Sequence, residues 1–509
     1  MKRTITRRNF VASVASSCAT FALLDLLPKN SYAALNHSGP YPSDEFLDYD
    51  ALGLAELIRK RQVTPAELTE VVIRRIEALN PTINCIATQT FERAREKSTT
   101  ISPQTTFAGV PSLVKDMIDV AGVRRSDGSR LLATNIPKKS VEYIKAFEAS
   151  GLNIVGTTTV PEFASGLESE LYGQTHNPWN LDYSCIASSS GAAAAVAAGY
   201  VPLVHGTDGG GSNRLPSHAC GTFGFKPSRL RMLSGEADGG HDPFKTHNAI
   251  SRTVRDSAAL FNVTEDKSNK VYAPIGFISG PSKRRLRIAY ARNGVGGFPV
   301  VPSIKNVQDD IAKLLSDLGH SVEEIEHPVN GTAFFKNFRY AFLPKFTPLL
   351  ARVSAITGKS PIESGLLAPW TATMIESSLN FSEKQIESGL AYFNNPEAIY
   401  GGIFEQYDLL FSAVTPDETP KLGAIKPTDH WEEKGHLFER IMSLTAATNA
   451  VGDCAISVPL SVTEATGMPV GSMFQAKAGN DQLLYELAYE LEQARPWKDR
   501  WAPYSRKFI

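Results

Sequence analysis

Residues 206–216 read GTDGGGSNRLP and place a serine directly behind three consecutive glycines. Glycine adopts backbone angles that are closed to other residues, so Gly209, Gly210 and Gly211 can aim main-chain N–H groups at a developing negative oxygen. Ser212 would then be the attacking nucleophile. A plain loop gives the same pattern, so the catalytic interpretation needs support from other segments.

A second segment supplies a candidate base. Residues 109–122 read GVPSLVKDMIDVAG, so Lys115 interrupts an apolar run of strand character. Side chains alternate along a strand, which puts Lys115 on the face opposite Val114 and Asp116. It is either a surface lysine or a buried one, and burial lowers a lysine pKa by up to about 3 to 5 units. A buried Lys115 would be a usable base near neutral pH.

A third segment contains a cluster of serines. Residues 184–199 read SCIASSSGAAAAVAAG, in which Ser189 or Ser190 can cap an alanine-rich helix. Capping alone would explain the cluster. A catalytic interpretation needs only one of these serines.

Together the three segments resemble the amidase signature family of serine hydrolases, which use a lysine, a bridging serine at a cis peptide and a serine nucleophile. By motif, the lysine falls on Lys115 in GVPSLVKD, the bridging serine on Ser188 in ASSSGAAAAVAAG and the nucleophile on Ser212 in GTDGGGS. The resemblance covers nearly the whole mature chain and is densest over residues 107–228. Three further motifs match: NPW at 177–179, FKPS at 225–228 and AISVPL at 455–460.

The resemblance implies both a fold and supporting residues. The fold is α/β, with a large mixed sheet of about eleven strands flanked by helices on both faces. Backbone N–H groups of Gly209, Gly210 and Gly211 would form the oxyanion hole, and Asp208 and Arg214 would support the loop. No metal or organic cofactor is implied, and a homodimer is left open beside a monomer.

One loop departs from the family pattern. Residues 186–192, IASSSGA, stand where the family usually has two glycines, two serines, two glycines and a serine, so three of four glycines are replaced. Strain in such a loop costs of order a few kcal/mol unless the geometry adjusts. We interpret the chain as an active but atypical member, with a non-catalytic amide-binding scaffold as the alternative.

The implied reaction is carboxamide hydrolysis through an acyl-Ser212 ester, with Ser188 relaying protons to and from Lys115. The motifs HGTDGGGS at 205–212 and EQARPW at 492–497 look most like the branch of aminohexanoate cyclic-dimer hydrolases. Fatty, aryl and peptide amides fit the sequence equally well. A tRNA-amidotransferase role needs cytosolic partner subunits, and the N-terminus argues against it.

Other chemistries find little support. No Gly-x-Ser-x-Gly elbow surrounds Ser188, Ser189 or Ser212, and the S-x-x-K match at Ser112 lacks its companion K-T-G. His205 is interpreted as a hydrogen-bonded core residue rather than a base. No metal-binding or P-loop motif occurs, and the short basic run at 283–287 does not indicate nucleic-acid binding.

The N-terminus resembles a bacterial twin-arginine export signal. Arg7 and Arg8 lie in TRRNFV, a moderately apolar stretch follows, and Ser31-Tyr32-Ala33 has the small residues of a cleavage site. The expected product is a periplasmic or secreted protein without stable membrane insertion, and retention as an uncleaved anchor is the alternative. Residues 1–33 hold five basic and one acidic residue, so cleavage changes the net charge from −1 to −5.

The remaining chain, 34–509, reads as one amidase domain. A capping box at Thr64 opens a helix, and helix, glycine, strand recurs around Gly151 and Gly319, which indicates a sheet with helices on its faces. Residues 334–401 predict a helical insertion beside the site or an ordinary packed insertion. If it lines the pocket, five aromatic residues favour an apolar substrate: Phe335, Phe338, Tyr340, Phe346 and Trp370. Free buried thiols are expected, with a Cys185–Cys220 bridge open.

Overall fold

The computed structural model of the protein describes residues 44–509, and the export signal predicted over residues 1–33 lies outside them. The strands are β1 (Ile86–Gln89), β2 (Pro111–Lys115), β3 (Asn153–Thr158), β4 (His176–Asn177), β5 (Asn180–Ser184), β6 (Leu203–Asp208), β7 (Phe223–Lys226), β8 (Thr246–Ser251), β9 (Arg287–Ala291), β10 (Gly294–Val295), β11 (Phe298–Pro299), β12 (Ser321–Ile325), β13 (Leu409–Ala413), β14 (Cys454–Val462) and β15 (Pro469–Ala476).

The helices are α1 (Ala51–Arg59), α2 (Pro65–Ile83), α3 (Phe91–Ser98), α4 (Glu142–Ala149), α5 (Ser190–Ala197), α6 (Arg214–Cys220), α7 (Val254–Thr264), α8 (Pro302–Asp317), α9 (Gly331–Phe342), α10 (Thr347–Thr357), α11 (Pro361–Ser364), α12 (Pro369–Glu376), α13 (Glu383–Phe393), α14 (Pro396–Tyr400), α15 (Ile403–Gln406), α16 (Trp431–Ile441), α17 (Ala446–Val451) and α18 (Asp481–Ala494). Within residues 44–509, no helix is both long and apolar enough to cross a membrane.

Eleven of the strands form one mixed sheet, in the order β1-β3-β2-β6-β8-β7-β14-β15-β13-β9-β12. The pairs β2–β3, β2–β6, β9–β12 and β9–β13 are parallel, and the central strands β6, β8, β7, β14 and β15 pair antiparallel. The predicted mixed sheet of about eleven strands is therefore confirmed.

Both faces of the sheet are buried, because alternate residues of its strands enter two separate hydrophobic cores. On β6, for example, Val204 packs with α5 and α17, whereas Leu203 packs with α4, α7 and α18. The same alternation separates Ile250 from Ala249 on β8. Helices therefore cover both faces, as predicted.

Local sequence signals set several element boundaries. Thr64 and Glu67 form the predicted capping box, with Thr64 Oγ1 accepting from the Glu67 N–H and Pro65 at the first helical turn. Gly151 and Gly319 both have φ of +92°, a left-handed conformation that favours glycine, and they end α4 and α8 before the next strands.

The chain between β12 and β13 is helical, comprising α9 to α15. The segment predicted as a helical insertion, residues 334–401, falls within it. Its first helix, α9, packs against α13. It contributes aromatic side chains to the hydrophobic core that also contains Val204. The four described cysteines are all buried and free, so the Cys185–Cys220 bridge is not formed.

Candidate active site

Lys115 ends β2 and is completely buried. Its Nζ donates to Ser188 Oγ at 2.6 Å and to Thr207 Oγ1 at 2.8 Å. Thr207 is in range because β2 runs parallel to β6, with Leu113 opposite Val204. The sheet therefore places Lys115 beside Thr207, and the predicted lysine is in direct contact with the predicted bridging serine.

The environment of Lys115 favours its neutral form. Burial lowers the pKa of Lys115 to about 7, and the nearby positive charge of Lys245 acts in the same direction. Asp208 and Asp127 oppose this shift but do not cancel it. A neutral amine can accept the proton of the Ser188 hydroxyl, so this contact can carry a proton in either direction.

Ser188 lies in the loop that leads into α5, and the Ala187–Ser188 peptide bond is cis. The next residue, Ser189, is the N-cap of α5, but its side chain makes no capping hydrogen bond. Its hydroxyl donates to Thr207 O instead, and its N–H donates to Ser212 O. The serine cluster thus joins the loop to β6 and to the glycine-rich segment rather than only capping a helix.

Two of the family's glycine positions in this loop can be compared, because one is replaced and the other is retained. Ile186 occupies one such position at φ 50°, a left-handed conformation that is unfavourable for a β-branched residue. Gly191 is retained, and a Cβ there would come 2.6 Å from Thr159 N and 2.7 Å from Cys85 O. The one glycine that survives is therefore at a position where backbone atoms leave no room for a side chain.

A buried ion pair anchors the glycine-rich segment. Arg214 Nε and Nη2 donate to the two carboxylate oxygens of Asp208 at 2.9 and 3.0 Å, and both side chains are inaccessible to solvent. Burial alone would raise the pKa of Asp208, but the charge and hydrogen bonds of Arg214 hold it well below its ordinary value. Asn449 Nδ2 also donates to the carboxylate, at 3.0 Å. The residues predicted to support the loop do contact it.

The three glycines predicted as oxyanion donors are not equivalent. The Gly211 N–H donates to Asp208 Oδ1 at 2.8 Å, so this donor is already engaged, and Gly211 does not line the cavity beside it. Gly209, Gly210 and Ser212 do line the cavity. The prediction is therefore corrected at Gly211, whose N–H is engaged by Asp208, whereas the N–H groups of Gly209, Gly210 and Ser212 form no hydrogen bond among the described residues.

Gly211 has a structural role instead. Its φ is +124°, and a Cβ would come 2.3 Å from Thr445 Oγ1. That hydroxyl donates to Gly210 O at 2.6 Å, which ties the glycine-rich segment to the turn before α17.

Ser212 is partly exposed, and both Ser212 and Ser188 line the cavity. Among the described residues, the Ser212 hydroxyl makes no hydrogen bond, so the link from Ser212 to Ser188 is not closed by a direct contact. Such catalytic hydrogen bonds often tighten only when substrate binds.

The cavity has a volume of about 220 Å³ and is largely apolar. Its aromatic wall comprises Phe163, Phe244, Phe338, Phe342, Phe346, Trp431 and Phe438. Of the five aromatic residues predicted to line it, Phe338 and Phe346 do so. Trp370 is buried and donates to Ser165 Oγ, whereas Phe335 packs on Phe298 and Tyr340 on Phe381.

Four residues around this site were not predicted from the sequence: Thr207, Glu439, Thr445 and Asn449. Thr207 lies inside the GTDGGGS motif, but its role depends on the pairing of β2 with β6. The other three come from α16, α17 and the turn between them, where no motif marks them. Glu439 lines the cavity and is buried.

His205 lies behind the site rather than in it. It is fully buried, accepts from the Lys115 backbone N–H at 3.4 Å and lies 3.1 Å from His247 through Nε2. Burial and the neighbouring His247 hold the pKa of His205 well below its ordinary value, and His205 does not line the cavity. These contacts agree with the interpretation of His205 as a hydrogen-bonded core residue. Within residues 44–509, no group of three or more His, Cys, Asp or Glu side chains could hold a metal ion.

Comparison with known proteins gives consistent matches over most of the chain. The family model described as Amidase matches residues 67–485. AmiC of Mycobacterium leprae (strain TN), named as a candidate amidase, is 34% identical over 473 residues, covering 90% of this chain and 97% of AmiC. The 6-aminohexanoate-cyclic-dimer hydrolase of Paenarthrobacter ureafaciens is 29% identical, covering 89% of this chain and 96% of the relative.

Solved structures match at the level of the whole fold. The structure of a 6-aminohexanoate cyclic dimer hydrolase complexed with substrate superposes with a TM-score of 0.79 at 27% identity, covering 90% of this chain and 99% of the other.

Proposed function

Because this chain belongs to the amidase signature family and is therefore a hydrolase of amide C–N bonds, we propose that it works through a Ser212–Ser188–Lys115 relay. The observation that carries the proposal is the 2.6 Å contact between Ser188 Oγ and the buried Lys115 Nζ, in the wall of the cavity that also exposes Ser212.

In the proposed reaction, Ser212 Oγ attacks the amide carbonyl while its proton passes to Ser188, and the Ser188 proton passes to neutral Lys115. N–H groups of Gly209, Gly210 and Ser212 stabilise the oxyanion. Protonated Lys115 returns a proton through Ser188 to the leaving nitrogen, which releases the amine. Water then hydrolyses the acyl-Ser212 ester by the same route, and the free enzyme is regenerated.

The proposed substrates are carboxamides, linear or cyclic, with an apolar acyl part. The aromatic wall of the cavity supports this class, because burying apolar surface favours binding by roughly 25 cal/mol per Å². Similarity to a 6-aminohexanoate-cyclic-dimer hydrolase supports an aliphatic acyl chain over an aryl one.

A labelling experiment tests this function. A fluorophosphonate probe should modify purified protein lacking residues 1–33 at Ser212, and the same preparation should release amine from aliphatic amides. Peptide mapping by mass spectrometry locates the label. Absence of both labelling and turnover would support the amide-binding scaffold instead.

We further propose export by the twin-arginine route, followed by cleavage near Ala33. Changing Arg7 and Arg8 together to lysine should keep the precursor in the cytoplasm, because that route reads the arginine pair. Cell fractionation and immunoblotting measure the distribution, with Lys2 and Arg3 exchanged for each other as the charge-matched control. If the double lysine variant reached the periplasm in normal amounts, this would contradict export by the twin-arginine route.

A further inference from the structure

Two buried histidines lie next to the strand that carries the catalytic lysine. His205 is on β6 and His247 is on β8, and they are 0% and 5% exposed. His205 Nε2 lies 3.1 Å from His247 Nδ1. The ring of Tyr143, from α4, packs against both imidazoles at centroid distances of 5.2 and 5.3 Å. The two histidines are therefore held together between the sheet and α4.

The contacts of His205 fix which of its nitrogens carries the proton. β2 and β6 pair at Leu113 and Val204. Two residues further along β2, the Lys115 N–H donates to His205 Nδ1 at 3.4 Å, so Nδ1 carries no proton. Burial and the neighbouring His247 hold the pKa of His205 well below its ordinary value, so the ring is neutral and its single N–H is on Nε2. This N–H is donated to His247 Nδ1.

The contacts of His247 orient it in the same way. Burial lowers the pKa of His247 to about 4, so it is also neutral, and because Nδ1 accepts, its proton is on Nε2. Nε2 lies 3.9 Å from Glu236 Oε1, and Lys245 Nζ lies 2.6 Å from the same oxygen. Burial alone would raise the pKa of Glu236, but the contacts with His247 and Lys245 lower it to about 2. Glu236 is therefore a carboxylate that attracts the Nε2–H of His247.

The segment that carries Glu236 fits closely against the His247 ring. A Cβ on Gly235 would come 2.2 Å from both Cε1 and Nε2 of that ring, so the position has room only for glycine. Lys245, which pairs with Glu236, lines the cavity. A series of contacts therefore runs from the cavity wall, through Glu236 and the two histidines, to the main chain of Lys115.

We propose that His247 is a positioning residue for the catalytic base: by accepting from His205, it keeps His205 Nδ1 free to hold the Lys115 main chain. This inference rests on the proposed role of Lys115 in hydrolysis. The Lys115 amine must stay within reach of Ser188, 2.6 Å away, and a displacement of about 1 Å can cost roughly 10²-fold in rate. Without an acceptor on His247, the buried N–H of His205 either stays unpaired or moves to Nδ1, where it faces the Lys115 N–H.

The first test replaces His247 in purified protein lacking residues 1–33. H247F keeps a ring and removes the acceptor, so we expect kcat for amide hydrolysis to fall about tenfold while KM changes less than about twofold. The pH midpoint should stay near 7, because the amine of Lys115 is not itself altered. H247N returns an oxygen close to the position of Nδ1 and should recover most of the loss. An unchanged kcat in H247F, a shifted midpoint, or equal losses in H247F and H247N would overturn the positioning role.

His320 offers a matched control at the β12 edge of the sheet. It is 5% exposed, its Nδ1 accepts the Leu286 N–H at 3.0 Å, and its Nε2 lies 2.9 Å from Glu490 Oε2. It does not line the cavity. H320F thus removes a buried histidine with the same kinds of partners and should leave kcat unchanged. A fall as large as that of H247F would show a general loss of stability and contradict the inference.

A second measurement needs no turnover. Nitrogen-15 NMR of protein labelled at its histidines distinguishes protonated from unprotonated ring nitrogens, and the H205Q variant identifies the signals of His205. We expect His205 to carry its proton on Nε2 near neutral pH. A proton on Nδ1 of His205 would overturn the inference while leaving hydrolysis intact. The expected tautomer together with normal turnover by Lys115→Ala would instead count against the proposed function.

Discussion

Ser212→Ala should lower kcat for amide hydrolysis by roughly 10⁵- to 10⁶-fold, the loss expected when a nucleophile of this kind is removed. The serine hydroxyl forms the bond to the acyl group, and Ser212 lines the cavity together with Gly209 and Gly210. The variant should also form no acyl-enzyme with an activated ester.

Ser188→Ala should have a different effect from Ser212→Ala. Ser188 passes protons without forming a bond to the substrate, so its loss should slow acylation and deacylation by roughly 10²- to 10⁴-fold and still leave an adduct on Ser212. Intact-protein mass spectrometry after incubation with the ester measures both variants. An adduct that persists without Ser212 and vanishes without Ser188 would reverse the two roles.

The second large effect concerns Lys115. Because the base must be neutral, kcat/KM should rise with pH through an ionisation near 7 and fall about tenfold per unit below it. Lys115→Ala should remove this rise together with most of the activity. The measurement is initial rate against pH at low substrate concentration, with circular dichroism to verify folding.

His205→Ala is the control for that profile. His205 contacts the Lys115 backbone but does not line the cavity, so its removal should leave the midpoint near 7. A profile that loses its pH dependence without His205 and retains it without Lys115 would show that the relay is assigned to the wrong base.

The site residues that the sequence predicts are those that lie in short sequence motifs. Lys115, Ser188 and Ser212 each lie in a short motif, and their side chains or loops meet because β2 and β6 are neighbours in the sheet. Glycine-rich loops and capping boxes are likewise local, so the element boundaries around Thr64 and Gly151 follow from the residues themselves.

The remaining parts depend on tertiary contacts that no local pattern records. Asp208 is recognisable in its motif, but its partner Asn449 lies on α17, 241 residues away. The engagement of the Gly211 N–H likewise follows from how the Asp208 side chain turns back onto the loop, which residue types alone do not specify. The aromatic wall was predicted only in part, since α9 buries Phe335 in the core and presents Phe338 to the cavity.

The contact between Gly210 and Thr445, in the turn before α17, has a consequence for biosynthesis. Thr445, which holds Gly210 in place, follows it by 235 residues in the chain. At ribosomal rates of about 5 to 20 residues per second, the two are separated by roughly 10 to 50 seconds of translation. During that interval the nascent chain carries β6 and its loop without the segment that locks them. Hydrolytic competence should therefore arrive abruptly near the end of synthesis, and a chain that stops before residue 445 should be inert toward amides.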